Sequence, residues 1–242
     1  TSALGFLKSR IDTLGIMGDG AGKSALSLFD QVAVSATGFL SGVIVARNCT
    51  LAELGAYHLA LSILLIFRGM QAEIITAPFT VYNHLRKGDR LATYTGSVII
   101  HQMVFLGAAL LVLAAIGLAA SKGFTPTAFK ATFPILLVAG PLALMREFLQ
   151  LYAFARFWFK SALVTDFTVL LLQVGGLLGL MALIGLTVNS VFVVIAIASG
   201  LACLAWWWVS RPRVRIQKTQ VLADWRENWA FGRWTLLSFV VS

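Results

Sequence analysis

The sequence predicts an all-α membrane protein, a bundle of six transmembrane helices followed by the start of a seventh. Three observations carry this reading. Of the 242 residues, 59% are hydrophobic and only 12% charged, whereas soluble domains carry about 25% charged residues. The mean hydropathy is +0.86, and the apolar residues fall in runs of about 20, the length a helix needs to cross the hydrocarbon core. The net charge of +9 collects in short segments between those runs. A nucleic-acid binder would gather it on one face or stripe. The basic balance therefore reads as topology, and no nucleic-acid partner is expected.

Taken in order, residues 1–26 read as a cytoplasmic N-terminal segment. Leu4, Phe6, Leu7 and Ile11 predict a short amphipathic helix lying on the membrane, and no apolar core long enough for a secretory signal is expected there. The six-helix lobe occupies residues 27–209. Its spans are read as Ser27–Ala46, Gly55–Val81, Thr95–Ala120, Ala131–Ala155, Ala162–Leu186 and Asn189–Val209. Residues 210–230 read as a basic cytoplasmic connector, set off by Pro212, which cannot continue a helix. Residues 231–242 read as the truncated start of a seventh span. The chain is accordingly expected to be a fragment that lacks a C-terminal lobe.

Orientation follows from Lys and Arg. Fourteen of the nineteen lie before the first span, between the second and third, between the fourth and fifth, or after the sixth. The alternate segments carry only Arg47, Lys122 and Lys130. The positive-inside bias puts the N-terminus in the cytoplasm. All seven Trp flank the same side, consistent with an aromatic belt at one interface.

The ionisable residues inside spans carry the functional signal, because a charge at mid-membrane costs roughly 2.5–3.5 kcal/mol on insertion scales. Arg68 and Arg146 come from spans running in the same direction and fall at similar depth. Asp30, Glu73, Glu147 and Asp166 form an acidic layer nearer the cytoplasmic side. At 100° per residue, Ser27, Asp30, Gln31, Ser35, Thr37, Gly38, Ser41 and Gly42 share an arc of about 160° on the first helix, opposite Phe29, Val32, Phe39, Leu40 and Val43. Arg68 stands about 140° from Glu73 on the second helix, so the two are not a simple pair. On the fourth helix Arg146 and Gln150 share a stripe with Glu147 at its edge, and Gly140-Pro141 is expected to kink it.

Two readings of this polarity stay open. In one, Arg68, Arg146, Gln71 and Gln150 line a hydrated cavity that binds an anionic ligand, since guanidinium matches phosphate geometry. In the other, Asp30, Glu73, Glu147 and Asp166 pair with the arginines and hold the bundle together. Two motifs are set aside. The run Gly18–Ser24 resembles a phosphate-binding loop, but the required leading glycine is Met17 and no strand precedes it. Gly175 and Gly179 make a GxxxG that reads as close helix packing. No catalytic set, metal spacing or cofactor motif is present in the sequence, so neither an enzyme, a metal nor a cofactor is expected.

Several segments resemble a known family. They include Asp30-Gln31 opening the first span, Val45-Ala46-Arg47 closing it, and Glu53-Leu54-Gly55-Ala56-Tyr57 opening the second. Ile75-Thr76-Ala77-Pro78, Arg146-Glu147-Phe148, Ala155-Arg156 and the run Trp229–Trp234 belong with them. Together they resemble the multidrug/oligosaccharidyl-lipid/polysaccharide (MOP) flippase superfamily, nearest its lipopolysaccharide or O-antigen branch. The resemblance implies the N-terminal lobe of a MATE/MOP-like fold in a bacterial cytoplasmic (inner) membrane. It also implies alternating access for a polyprenyl-diphosphate-linked oligosaccharide, with Arg68 and Arg146 toward the diphosphate and with membrane lipids and the C-terminal lobe as partners. Two other functions compete. A cation-coupled, MATE-like exporter would need a titrating carboxylate such as Asp30 or Glu73. A membrane scaffold would pair every intramembrane charge and leave no cavity, whereas the flippase reading expects a net-positive, laterally open one.

Overall fold

The computed structural model describes residues 27–120 and 127–241. The expected surface helix within residues 1–26 and the discounted Gly18–Ser24 run lie outside them. Among the described residues the chain is all-α. It comprises α1 (Ser27–Asn48), α2 (Leu51–Leu85), α3 (Gly88–Ala119), α4 (Thr127–Ala155), α5 (Phe159–Leu183), α6 (Val188–Ser210) and α7 (Lys218–Val241). The first six are long and apolar enough to cross a membrane. The protein is thus a multi-pass membrane protein built as a six-helix bundle.

The outer surface shows what solvent the bundle is built for. Phe29, Phe39, Leu65, Leu111, Leu171 and Leu204 are all more than half exposed. Such a surface suits lipid, where helices satisfy their own backbone groups. On α1 the lipid face is as expected, with Phe29, Val32 and Phe39 exposed, but the opposite arc divides. Asp30, Thr37 and Ser41 are buried while Gln31, Ser35 and Gly38 stay exposed.

The two ends of the bundle are built differently. At the sparsely charged end, Thr50 caps α2 in a reciprocal box with Glu53 and Thr187 caps α6 with Ser190. Each closes first-turn N–H groups that no carbonyl would otherwise reach. Gly185, at φ +83°, turns the chain between α5 and α6. The interior there is apolar, with Tyr57, Leu113, Phe129 and Phe192 at its centre. At the basic end the core is aromatic. Phe79 stacks on Tyr152 at 4.9 Å between centroids, and Trp206 meets the edge of Tyr152 at 5.5 Å.

Two elements differ from expectation. Hydropathy puts the start of the third span at Thr95, but α3 begins at Gly88, because its first turns bury Thr93 and Tyr94 while Asp89 and Arg90 stay outside. The basic connector of residues 210–230 shrinks to the stretch 211–217, and the seventh helix starts at Lys218, not near Phe231. Hydropathy missed these turns because their buried face is polar. Asp224 and Asn228, one turn apart, are 0% and 1% exposed. Pro134 and Pro141 both lie inside α4.

A π-helical turn interrupts α2, where the segment Ala72–Thr76 widens and the Ala77 N–H reaches Ala72 O. Pro78 comes next and has no N–H to give the carbonyl of Glu73. That carbonyl accepts a hydrogen bond from Thr235 Oγ1 at 3.3 Å. Gly232 lies against the same segment, so close that a Cβ there would stand 3.0 Å from Glu73 O. The widened turn is therefore the docking point of α7.

Candidate functional site

Five charged side chains from four helices meet inside the membrane-spanning part. Arg68 Nε of α2 lies 3.2 Å from Glu147 Oε2 of α4. Glu147 Oε2 accepts no hydrogen bond, so the two attract as charges without an aligned N–H. Arg146 donates through Nη2 to Oε1 of the adjacent Glu147 and through Nη1 to Asp166 Oδ1 of α5 at 3.3 Å. Gln150, one turn further along α4, donates its amide to Asp166 Oδ2 at 2.6 Å and to Asp30 Oδ2 of α1 at 3.3 Å. Asp30 Oδ1 is buried without a partner.

Helical spacing explains the assembly. Arg146, Glu147 and Gln150 occupy positions i, i+1 and i+4, which place three polar groups on adjoining strips of one face. Asp30 and Asp166 enter from the neighbouring helices. A second link, Gln173 Nε2 to Ser41 Oγ at 2.9 Å, ties α5 to α1 deeper in the bundle. Sequence reading missed Gln173; its signal was a lone amide two turns along α5 from Asp166, on the same face.

A cavity of about 300 Å³ opens beside the cluster, with Thr37, Tyr57, Arg68, Arg146, Asp166 and Gln173 among its walls. The two arginines differ in how they meet it. The Arg68 side chain is 46% exposed, that of Arg146 only 15%. Arg146 is consumed by two carboxylates, whereas Arg68 is engaged through Nε.

Of the residues singled out in the sequence, Arg68, Arg146, Glu147 and Asp166 line this cavity, and Asp30 and Gln150 back it. Two do not reach it. Gln71 is fully buried and accepts from Gln102 Nε2 of α3 at 3.1 Å. Glu73 lies in the π-helical segment under α7. For Glu73, the extra residue of the π turn rotates the side chain away from the position that a regular 100° wheel gives it, whereas Gln71 precedes that turn and is turned toward α3. The charge balance also differs from the net-positive cavity expected of a flippase, since two arginines face the three carboxylates of Asp30, Glu147 and Asp166. The chain matches no family model, no curated protein and no solved structure.

Proposed function

We propose that the chain is the N-terminal lobe of a bacterial inner-membrane flippase for a polyprenyl-diphosphate-linked oligosaccharide. In this reading it works by alternating access together with a C-terminal lobe, and its N-terminus is cytoplasmic. The observation that carries the reading is Arg68, a half-exposed guanidinium on the wall of an intramembrane cavity. Glu147 holds it at Nε, so in this reading its terminal fork is the part that meets the ligand, and a guanidinium fork matches the oxygens of a diphosphate. Arg146 acts as a positioning residue that keeps Glu147 and Asp166 in place.

The test is export complementation with the full-length gene in a strain lacking its own flippase, at matched protein abundance. Arg68→Ala should abolish polymer export and accumulate the lipid-linked precursor, with abundance unchanged. Normal export by both Arg68→Ala and Arg68→Lys would overturn the diphosphate role.

A second reading, a cation-coupled exporter, is favoured by one observation. Asp30 and Asp166 share a single amide donor, and Asp30 Oδ1 has none. Two buried carboxylates so placed offer oxygen ligands to a cation between them. This reading expects Asp30→Asn to abolish pH-driven export of a small solute, with the saccharide precursor unaffected.

A further inference from the structure

The basic end of the bundle holds another cavity, a polar one of about 470 Å³, between the start of α3, the α4–α5 turn and the residues just after α6. Arg156, Arg211 and Arg213 line it. Among the described residues none of the three has a carboxylate partner. The one acid on its wall, Asp89, is ion-paired with Arg215 Nη1 at 3.2 Å. The cavity is therefore strongly positive, unlike the intramembrane site.

One of its arginines, Arg156, is built into place. Arg156 Nη1 donates to Asn83 Oδ1 at 3.1 Å, and its Cζ stands 5.3 Å from the Trp158 ring. Asn83 is in turn fixed by donating to Ala155 O at 2.8 Å. The 211–217 stretch is pinned to α3 by Arg215 N–H to Ala92 O at 3.0 Å, a contact that Gly96 permits, since a Cβ there would fall 2.3 Å from Arg215 O. Backbone strain is concentrated at the same place. Phe157 and Arg211 are the two non-glycine residues with positive φ among those described, at 56° and 37°. One lies between the wall residues Arg156 and Trp158, and the other lines the cavity itself. Such conformations persist where the surroundings impose them, and they gather at ligand sites.

We propose that this cavity is a binding site for a phosphate group at the membrane surface. Three guanidiniums without a carboxylate offer the forked donors that phosphate oxygens match. The cavity is larger than a bare phosphate ion, leaving room for an esterified one, and Trp158 sets it at headgroup level.

The test uses the full chain in nanodiscs of equal parts phosphatidylcholine and phosphatidylglycerol, with retained lipid counted by native mass spectrometry. Wild type should keep phosphatidylglycerol over phosphatidylcholine. Arg213→Gln and Arg156→Gln should each weaken retention about tenfold, the loss of one charge-assisted contact. Arg226→Gln, an exposed arginine of α7 away from the cavity, should change nothing. In discs of phosphatidylcholine alone, phosphorus NMR line-broadening of added inorganic phosphate, with the same dependence on Arg213, would assign the site to a free anion instead of a headgroup, and either source supports it. Arg213 is exposed, so its variant tests the site even if Arg156→Gln misfolds. Absence of any anionic preference in both arms, or an equal loss in Arg226→Gln, would overturn the proposal.

Discussion

Arg68 Nε and Glu147 Oε2 stand 3.2 Å apart, an ionic contact that joins α2 to α4 inside the membrane-spanning bundle. Glu147 faces Arg146 with its other oxygen, so one carboxylate separates two guanidiniums. Glu147→Gln should therefore leave two like charges with only a neutral amide between them, and Arg68 without a counter-charge. Breaking a buried pair from one side costs about 3–5 kcal/mol. Arg68→Gln should cost much less, because its side chain is half exposed. Unfolding midpoints in matched detergent check the order, and equal losses would deny Glu147 the shared role.

At the basic end, Asp224 is fully buried, and Arg90 Nη2 reaches its Oδ1 at 2.5 Å, with Arg86 Nη2 at 3.9 Å. Arg86 also pairs with Glu227 and lies over the Tyr94 ring at 3.6 Å. Tyr94 donates to Asn228 Oδ1 at 2.8 Å. These contacts fasten the polar half of α7 to α2 and α3. Asp224→Ala should release it, with faster amide exchange across α7 and little change in α4–α6. Unchanged exchange in α7 would show that Gly232 and Thr235 hold it without Asp224.

The fold class was legible because lipid exposure leaves its mark as length and hydropathy, and both survive without knowledge of neighbours. The site was legible in part. Arg68, Arg146, Glu147, Gln150, Asp30 and Asp166 announce themselves because charge or amide inside a span needs a partner. The failures have a common cause. Gln71 and Glu73 border or occupy a π-helical turn that Pro78 and the docking of α7 sustain, and α7 itself buries acids and amides. Neither a helical wheel nor a hydropathy window represents a polar surface that another helix covers.

Glycines test the packing by contrast. A Cβ on Gly96 would lie 2.3 Å from the Arg215 carbonyl oxygen, whereas one on Gly107 meets nothing within 4 Å. Gly96→Ala should cost about 1–3 kcal/mol through displaced backbone, and Gly107→Ala should be neutral or slightly stabilising through helix propensity. Equal effects at both positions would mean that the 211–217 stretch does not lie on α3.

Cys49, between α1 and α2, reports on topology. Burial pushes its thiol above the usual range, and the nearby Glu53 charge adds to this. Less thiolate then exists at neutral pH, so labelling should be slow there and rise as pH climbs toward the raised value. Glu53→Gln should speed it. If the basic end is cytoplasmic, a membrane-impermeant maleimide added to intact cells should reach Cys49 under alkaline conditions. Labelling only after cell lysis would invert the proposed orientation.

The two acids around Gln150 should not be equivalent. Asp166 accepts from Gln150 at 2.6 Å and also from Arg146 at 3.3 Å, so it has two donors. Asp30 has the longer share of the same amide, at 3.3 Å, and its second oxygen has no donor. Neutralising Asp30 removes repulsion between the acids at the loss of one weak contact, while neutralising Asp166 strips Arg146 of a counter-charge. Asp30→Asn should therefore leave thermal stability unchanged or raise it, and Asp166→Asn should lower it. Gln150→Leu should fall between, since it removes the bridge but leaves Arg146 and Asp166 paired. Melting curves of the three variants in one lipid mixture give the order. Asp30→Asn proving the most damaging of the three would mean that the unpartnered oxygen is held by a bound cation, which would favour the coupled-exporter reading over the flippase.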